Sequence, residues 1–328
     1  AGVLLWESSL ASMFSSLSPC YLGTFTFDPK IVYDHYTGRF VVVTLERVFA
    51  GANPSAGNAS RILVAVSKTS TPASATAADW WFCCIDGKEL VGATEFWADY
   101  PGFEVDEEAI YITNNMFAFP PVGAYAGSRL WIVHKGFGTG GFYDGGACTV
   151  TKHDPYAATS GSGSVATTTM PAEVYGAAGA GPGIGTYLVS YSGLSNGFTE
   201  FVQVIRVNSP LGAVTFTHEF IPVGDIEASF IIADAPQLVT VETIETNDQR
   251  ALDAVWRDGC LWMVSTINPD GTLLPGLPDH TTAYWWKLDT SGVTSSGSPS
   301  GLLALLDDGG VPGEELASPP FSDAIYTY

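Results

Sequence analysis

Apolar positions in this chain fall in short runs rich in Val, Ile, Tyr, Phe and Trp, bounded by Gly, Pro, Asn and Asp. Phe40-Val41-Val42-Val43-Thr44, Arg61-Ile62-Leu63-Val64-Ala65-Val66 and Phe201-Val202-Gln203-Val204-Ile205-Arg206-Val207 are representative. No stretch holds the 3.6-residue period of an amphipathic helix over ten or more residues. Turn dipeptides such as Asn196-Gly197, Asp258-Gly259 and Asp270-Gly271 separate neighbouring runs, as hairpins require. The pattern predicts an all-β fold of many short strands.

One longer strand recurs. It reads Phe40-Val41-Val42-Val43-Thr44, Ile110-Tyr111-Ile112-Thr113-Asn114, Tyr187-Leu188-Val189-Ser190-Tyr191, Leu261-Trp262-Met263-Val264-Ser265 and Ile325-Tyr326-Thr327-Tyr328. The copies begin at 40, 110, 187, 261 and 325, so the spacings are 70, 77, 74 and 64. Ahead of it sits a shorter strand in three copies, at Lys30–Tyr33, Gly102–Val105 and Asp253–Trp256; in the third unit none is recognisable within Gly179–Gly185. A unit of this length with about four antiparallel strands is a propeller blade with generous loops. Solenoid coils are shorter. The expectation is a β-propeller with five blades favoured, or six or seven if the chain is a fragment of a larger propeller. The units run over residues 28–98, 99–175, 176–247 and 248–312 of a single domain, 1–328. Residues 313–328 and 1–19 share the last blade, with Gly2-Val3-Leu4-Leu5-Trp6-Glu7 as the closing strand that leaves no open sheet edge.

Three segments carry a family likeness. Asp28-Pro29-Lys30-Ile31-Val32-Tyr33-Asp34 with Gly38-Arg39-Phe40, then Trp97-Ala98-Asp99-Tyr100-Pro101 with Ala109 to Phe117, then Asp253 to Gly259 with Leu261-Trp262, resemble an uncharacterised group of secreted bacterial β-propeller repeat proteins. The resemblance spans roughly residues 20 to 290 and implies a propeller and export. It supplies no catalytic residues, and the acidic, aromatic C-terminal segment of that group is not evident here.

Charge narrows the partners. With 34 acidic against 13 basic residues, the net charge is −21, a field that repels nucleic acid and anionic membrane surfaces. No apolar run approaches the ~20 residues of a membrane span, so membrane insertion is not expected. The first residues, Ala1 to Trp6, lack the basic and apolar regions of a signal peptide, as a mature or trimmed secreted chain would. Five cysteines, Cys20, Cys83, Cys84, Cys148 and Cys260, leave at least one unpaired or paired with another chain. Cys83 and Cys84 are adjacent in a strand, which aims them at opposite faces. They are either buried small hydrophobes or partners in one or two disulfides of an oxidising compartment.

Candidate chemistry gathers ahead of the shorter strands. Asp28, Asp99 and Asp253 precede or open them, and inner strands of a propeller start near its central channel. Such carboxylates suit a Ca²⁺ site, with Asp28 and Asp99 as ligands and Ca²⁺ the one candidate cofactor, or a general acid/base pair. The alternative is that each caps its own turn. Trp97 and Tyr100 flank Asp99 and are the candidate binding aromatics, because rings at loop mouths stack on sugars. Glu104, Asp106, Glu107 and Glu108 read as a solvated acidic hairpin tip or a weak cation site. The histidines are scattered without metal spacing; His134 with Lys135, or Tyr33 with Arg39, supplies the minimum pair for a lyase. Gly193-Leu194-Ser195-Asn196-Gly197 matches a nucleophile-elbow pattern but lies between strands, and Gly179–Gly185 has no helix after it to bind a dinucleotide. Asn58-Ala59-Ser60 is a formal glycosylation sequon in a loop. The expectation is an extracellular or cell-surface binding and scaffolding module, for surface attachment, extracellular assembly or glycan recognition. Its partners would be glycans, other surface components or further copies of itself. The other class is a polysaccharide-active enzyme, a glycoside hydrolase or lyase, working at the channel mouth.

Overall fold

In a computed structural model, the described residues are 3–158, 168–176, 183–195, 200–224, 234–236, 242–246, 249–267, 282–290 and 304–309. The fold is an all-β propeller with four blades, one fewer than the repeat count suggests. The fifth copy of the longer strand, Ile325-Tyr326-Thr327-Tyr328, lies outside the described residues. Two compact units divide the chain, residues 1–154 and 155–328.

The first unit holds two blades. Blade 1 is β1 (Thr26–Asp34), β2 (Arg39–Val48), β3 (Ala59–Ser67) and β4 (Trp80–Asp86), in that spatial order. Blade 2 is β5 (Glu89–Val91), β6 (Thr94–Val105), β7 (Ala109–Ala118), β8 (Tyr125–His134) and β9 (Val150–His153). All neighbours in both are antiparallel.

Both faces of blade 1 are apolar, and strand alternation sorts them. Val41, Val43, Leu45, Ile62, Val64, Val66, Cys83 and Ile85 point into one core, shared with Phe96, Phe103, Ile110, Ile112 and Trp131 of blade 2. Val42, Leu63, Ala65 and Trp80 point the other way, into a second core. At about 1.5–3 kcal/mol per fully buried large aliphatic, the shared core is the main cohesion between the two blades.

The second core is roofed by the N-terminal segment. Val3–Ser9 carries no strand, so the expected closing strand is not formed there; a short helix α1 (Leu10–Met13) follows, capped by the Ser9 hydroxyl on Ser12 N at 3.2 Å. Phe14 is fully buried and meets Phe82 edge-on at 5.7 Å, and Trp6 meets Trp80 at 6.3 Å while its indole donates to Pro72 O at 2.8 Å. The stretch ahead of the first full unit looks like a closing strand in sequence; here Val3, Leu4 and Leu5 are exposed, and Trp6, Leu10 and Leu17 pack on the face. The two adjacent cysteines staple both faces: Cys84 to Cys20 of the N-terminal segment, Cys83 to Cys148 ahead of β9. They are disulfide partners, not free hydrophobes, and among the described residues Cys260 is the free cysteine.

The second unit holds the other two blades. Blade 3 is β10 (Met170–Pro171), β12 (Ile184–Ser195), β13 (Glu200–Asn208) and β14 (Thr215–Gly224). Blade 4 is β11 (Glu173–Tyr175), β17 (Ala251–Arg257), β18 (Cys260–Ile267), β19 (Thr282–Asp289) and β20 (Ala304–Gly309), antiparallel except where β11 runs parallel to β17. A small ribbon, β15 (Ala235–Pro236) with β16 (Thr243–Ile244), stands apart. The shorter strand missing from the third repeat is therefore β10, upstream of the glycine run, pairing Met170 with Val189 and Pro171 with Leu188. Two residues leave little hydrophobic pattern to read. The nucleophile-elbow match begins at the end of β12, whose Ser195 pairs with Glu200 of antiparallel β13; its last two residues, Asn196 and Gly197, lie outside the described residues.

Candidate functional site

The first two blades share a backbone irregularity. In β1 the pairing slips between Phe27 and Lys30, with Asp28 at φ 47° followed by Pro29. In β6 it slips between Asp99 and Gly102, with Tyr100 at φ 44° followed by Pro101. Non-glycine residues rarely hold such angles, and bulges of this kind re-aim side chains. The structural counterpart of Asp28 is thus Tyr100, not Asp99. Aligning Phe40 on Ile110 would set Asp28 against Ala98, two residues short of Tyr100, because the first hairpin closes Gly38 N on Asp34 O and the second closes more tightly, Asp106 N on Ala109 O.

Lys30, just after the first bulge, reaches over the ring of Tyr100 at the second, 5.2 Å from its centroid. Beside this pair runs a row of five rings. Phe25 stacks on Phe27 at 5.2 Å, and Phe27 meets Trp97 at 6.0 Å. Trp97 meets its cross-strand partner Phe117 at 6.1 Å, and Phe117 meets its own partner Tyr125 at 5.4 Å. Arg47 lies over Trp97 at 4.1 Å and over Phe25 at 5.8 Å. Phe25 is 54% exposed and the other four rings are half-buried. Aromatic and cation–π contacts of this sort are each worth about 0.5–1.5 kcal/mol, so the row is stiff as well as accessible.

The predicted carboxylates sit as follows. Asp28 is exposed at its bulge, and Asp99 is half-buried, its backbone oxygen accepting from Asn114 Nδ2 at 3.2 Å. Asp253, in the second unit, is exposed within β17 and accepts from Ala254 N at 2.8 Å. Among the described residues no three His, Cys, Asp or Glu side chains converge as metal ligands do. Of the two aromatics named as binding residues, Trp97 is in the ring row and Tyr100 is at the second bulge, under Lys30.

The acidic turn is different from its expected form. Asp106 is buried, not solvated: its carboxylate accepts from Glu108 N at 2.8 Å, Ala109 N at 2.7 Å and Tyr111 OH at 2.6 Å. Asp34 occupies the same place in blade 1, accepting from Tyr36 N, Thr37 N and the Thr37 hydroxyl at 3.1, 3.3 and 2.9 Å. Lys135, fully buried after β8, ties the two turns, with its ammonium 2.6 Å from Asp34 Oδ2 and donating to Asp106 O. Burial draws the Lys135 ammonium below the ordinary lysine range while Asp34 opposes it. Burial likewise raises the Asp106 carboxyl, against the hydrogen bonds it accepts. Lys135 is committed to these turns, so it is not a free partner for His134 in a lyase. Arg39 is similarly held, donating to Tyr143 O and lying 4.8 Å over Phe137. Asn58 of the sequon is buried and bonded to Glu95 and Ala52 O at 2.8 Å each, so it is no surface acceptor. This cluster was missed from sequence because Lys135 is distant along the chain and Asp34 reads as an ordinary turn residue.

No protein-family model matches the sequence, and no curated protein matches it. Among solved structures, the chain is similar to a glycosyl hydrolase from Bacteroides ovatus at 13% identity and TM-score 0.38, over 86% of this chain and 70% of that one. It is similar at 12% identity and the same TM-score to a structure described with the GH130 family of mannoside phosphorylases, which contains glycoside hydrolases that target β-1,2 mannosidic linkages in Candida mannan; the match covers 86% and 69%.

Proposed function

We propose that this protein is a secreted glycan-binding module whose binding face is the ring row Phe25, Phe27, Trp97, Phe117 and Tyr125. The observation that carries the reading is the row itself, five rings joined by successive contacts of 5.2, 6.0, 6.1 and 5.4 Å and stiffened by Arg47. Flat apolar rings beside a few polar groups are how sites orient ligands that are apolar on one side and polar on the other. Sugar rings are such ligands. Lys30 over Tyr100, and Asp28 at the first bulge, bring polar groups to the same two strands that carry Phe27 and Trp97. The net charge of −21 favours neutral glycans over uronates. Two disulfides support export to an oxidising compartment.

The test is a glycan array of neutral oligo- and polysaccharides, run beside a degradation screen on the glycans that bind. Binding without product release is expected, and Trp97→Ala should weaken it at least tenfold, about 1.4 kcal/mol. Binding that survives Trp97→Ala sinks the assignment to this face. Release of shorter sugars sinks the binding-module reading in favour of an enzyme.

A further inference from the structure

The N-terminal segment does not cover all of blade 1's second face. It roofs Leu63, Ala65, Trp80 and Phe82, and leaves the inner half, on β1 and β2, facing a cavity of about 410 Å³. The floor is Met13, Val42 and Trp80, each at most 8% exposed; the mouth is Leu5 and Ile31, at 80% and 62%. Trp6 walls one side, its plane fixed by the bond to Pro72 O and the contact with Trp80. Among the described residues, Ser70 and Thr71 supply the only hydroxyls on its lining, and no charged side chain lines it.

The volume lies within the few hundred to 1,000 Å³ of small-molecule sites, and the lining has their composition. At about 30 Å³ per water, on the order of a dozen waters fit there, against walls with few hydrogen-bond partners. Displacing them is favourable. The occupant is an uncharged species, because no lining cation offsets a chain of net charge −21. We propose that this cavity binds an uncharged apolar small molecule about the size of two or three fused or linked rings. The site is separate from the ring row, and the inference does not depend on it.

The probe is N-phenyl-1-naphthylamine, neutral and fluorescent when desolvated, titrated into the intact protein, with 8-anilinonaphthalene-1-sulfonate as its anionic counterpart. Saturable one-to-one binding of the neutral probe is expected, with quenching of tryptophan emission and at least tenfold weaker binding of the sulfonate. Ile31→Glu should cost at least tenfold in probe affinity and leave the melting midpoint within about 2 °C, since an exposed surface substitution is nearly neutral. Trp97→Ala should leave probe affinity unchanged, so the fate of the ring row and of this cavity are read separately. The proposal is overturned by non-saturable uptake, by equal affinity for both probes or by an Ile31→Glu protein that binds as before. It is also overturned by a dimer on size exclusion that Ile31→Glu converts to monomer, which would make this face a self-association surface.

Discussion

Lys135 offers the sharpest test of how the first unit is held together. Its ammonium is fully buried, 2.6 Å from an equally buried Asp34 carboxylate, and donates as well to the backbone oxygen of Asp106 in the next blade. In Lys135→Met the side chain keeps its length and loses its charge, leaving the buried Asp34 side chain without its ion-pair partner and Asp106 O without its donor. Breaking a buried pair from one side costs about 3–5 kcal/mol. Asp34 keeps three local donors, which places the cost near the lower end, about 3 kcal/mol. For a unit of this size each kcal/mol moves the midpoint by roughly 2–4 °C, so a fall of roughly 6–12 °C is expected in calorimetry. Lys135→Met combined with Asp34→Asn removes the stranded carboxyl, while the side-chain carbonyl of the substituted residue still accepts from the turn amides. The double variant should therefore lie about 1–3 kcal/mol above the sum of the singles. A single variant that melts within about 2 °C of the parent, or a strictly additive double, would falsify the clamp.

Three further outcomes are expected. Glu95 accepts from Ser55 N at 3.0 Å, Lys88 Nζ at 2.9 Å and Asn58 Nδ2 at 2.8 Å, and the Ser55 amide foremost holds its carboxyl below the ordinary range. Its stabilisation is then complete above the unfolded-state value and lost as pH falls through the depressed folded one. Glu95→Gln should lower the melting midpoint equally at pH 7 and pH 6, and the gap should close only below about pH 4.5; a gap already closing at pH 6 contradicts the assignment. Cys20→Ser with Cys84→Ser opens a link between residues 64 apart, for which the chain-entropy account gives about 4 kcal/mol. Urea titration should show the loss, and an unchanged midpoint would mean the N-terminal roof holds without its staple. Calcium titration checks Asp28 and Asp99 directly. Ligation by these carboxylates predicts a higher midpoint at millimolar Ca²⁺, and a midpoint left in place retires them as ligands. A rise of several degrees would show that the carboxylates do converge on the ion.

The β-propeller was legible in the chain because it rests on local physics: apolar runs of strand length, turn dipeptides between them, and a repeat that survives divergence. Local alternation also placed Cys83 and Cys84 on opposite faces. Three things were decided only in three dimensions. Blade number came out as four because strand pairing, not the recurrence of an apolar run, makes a blade, and Val3–Ser9 forms no strand. Equivalence of Asp28 with Tyr100 depended on bulges and on hairpins of unequal length, which shift register without altering the hydrophobic pattern. The ring row, the Lys135 clamp and the open cavity on blade 1 each join residues far apart in sequence, and burial and proximity of that kind are properties of packing. The sequence could name the aromatics and the charges; which of them touch was settled by how two-sided sheets pack.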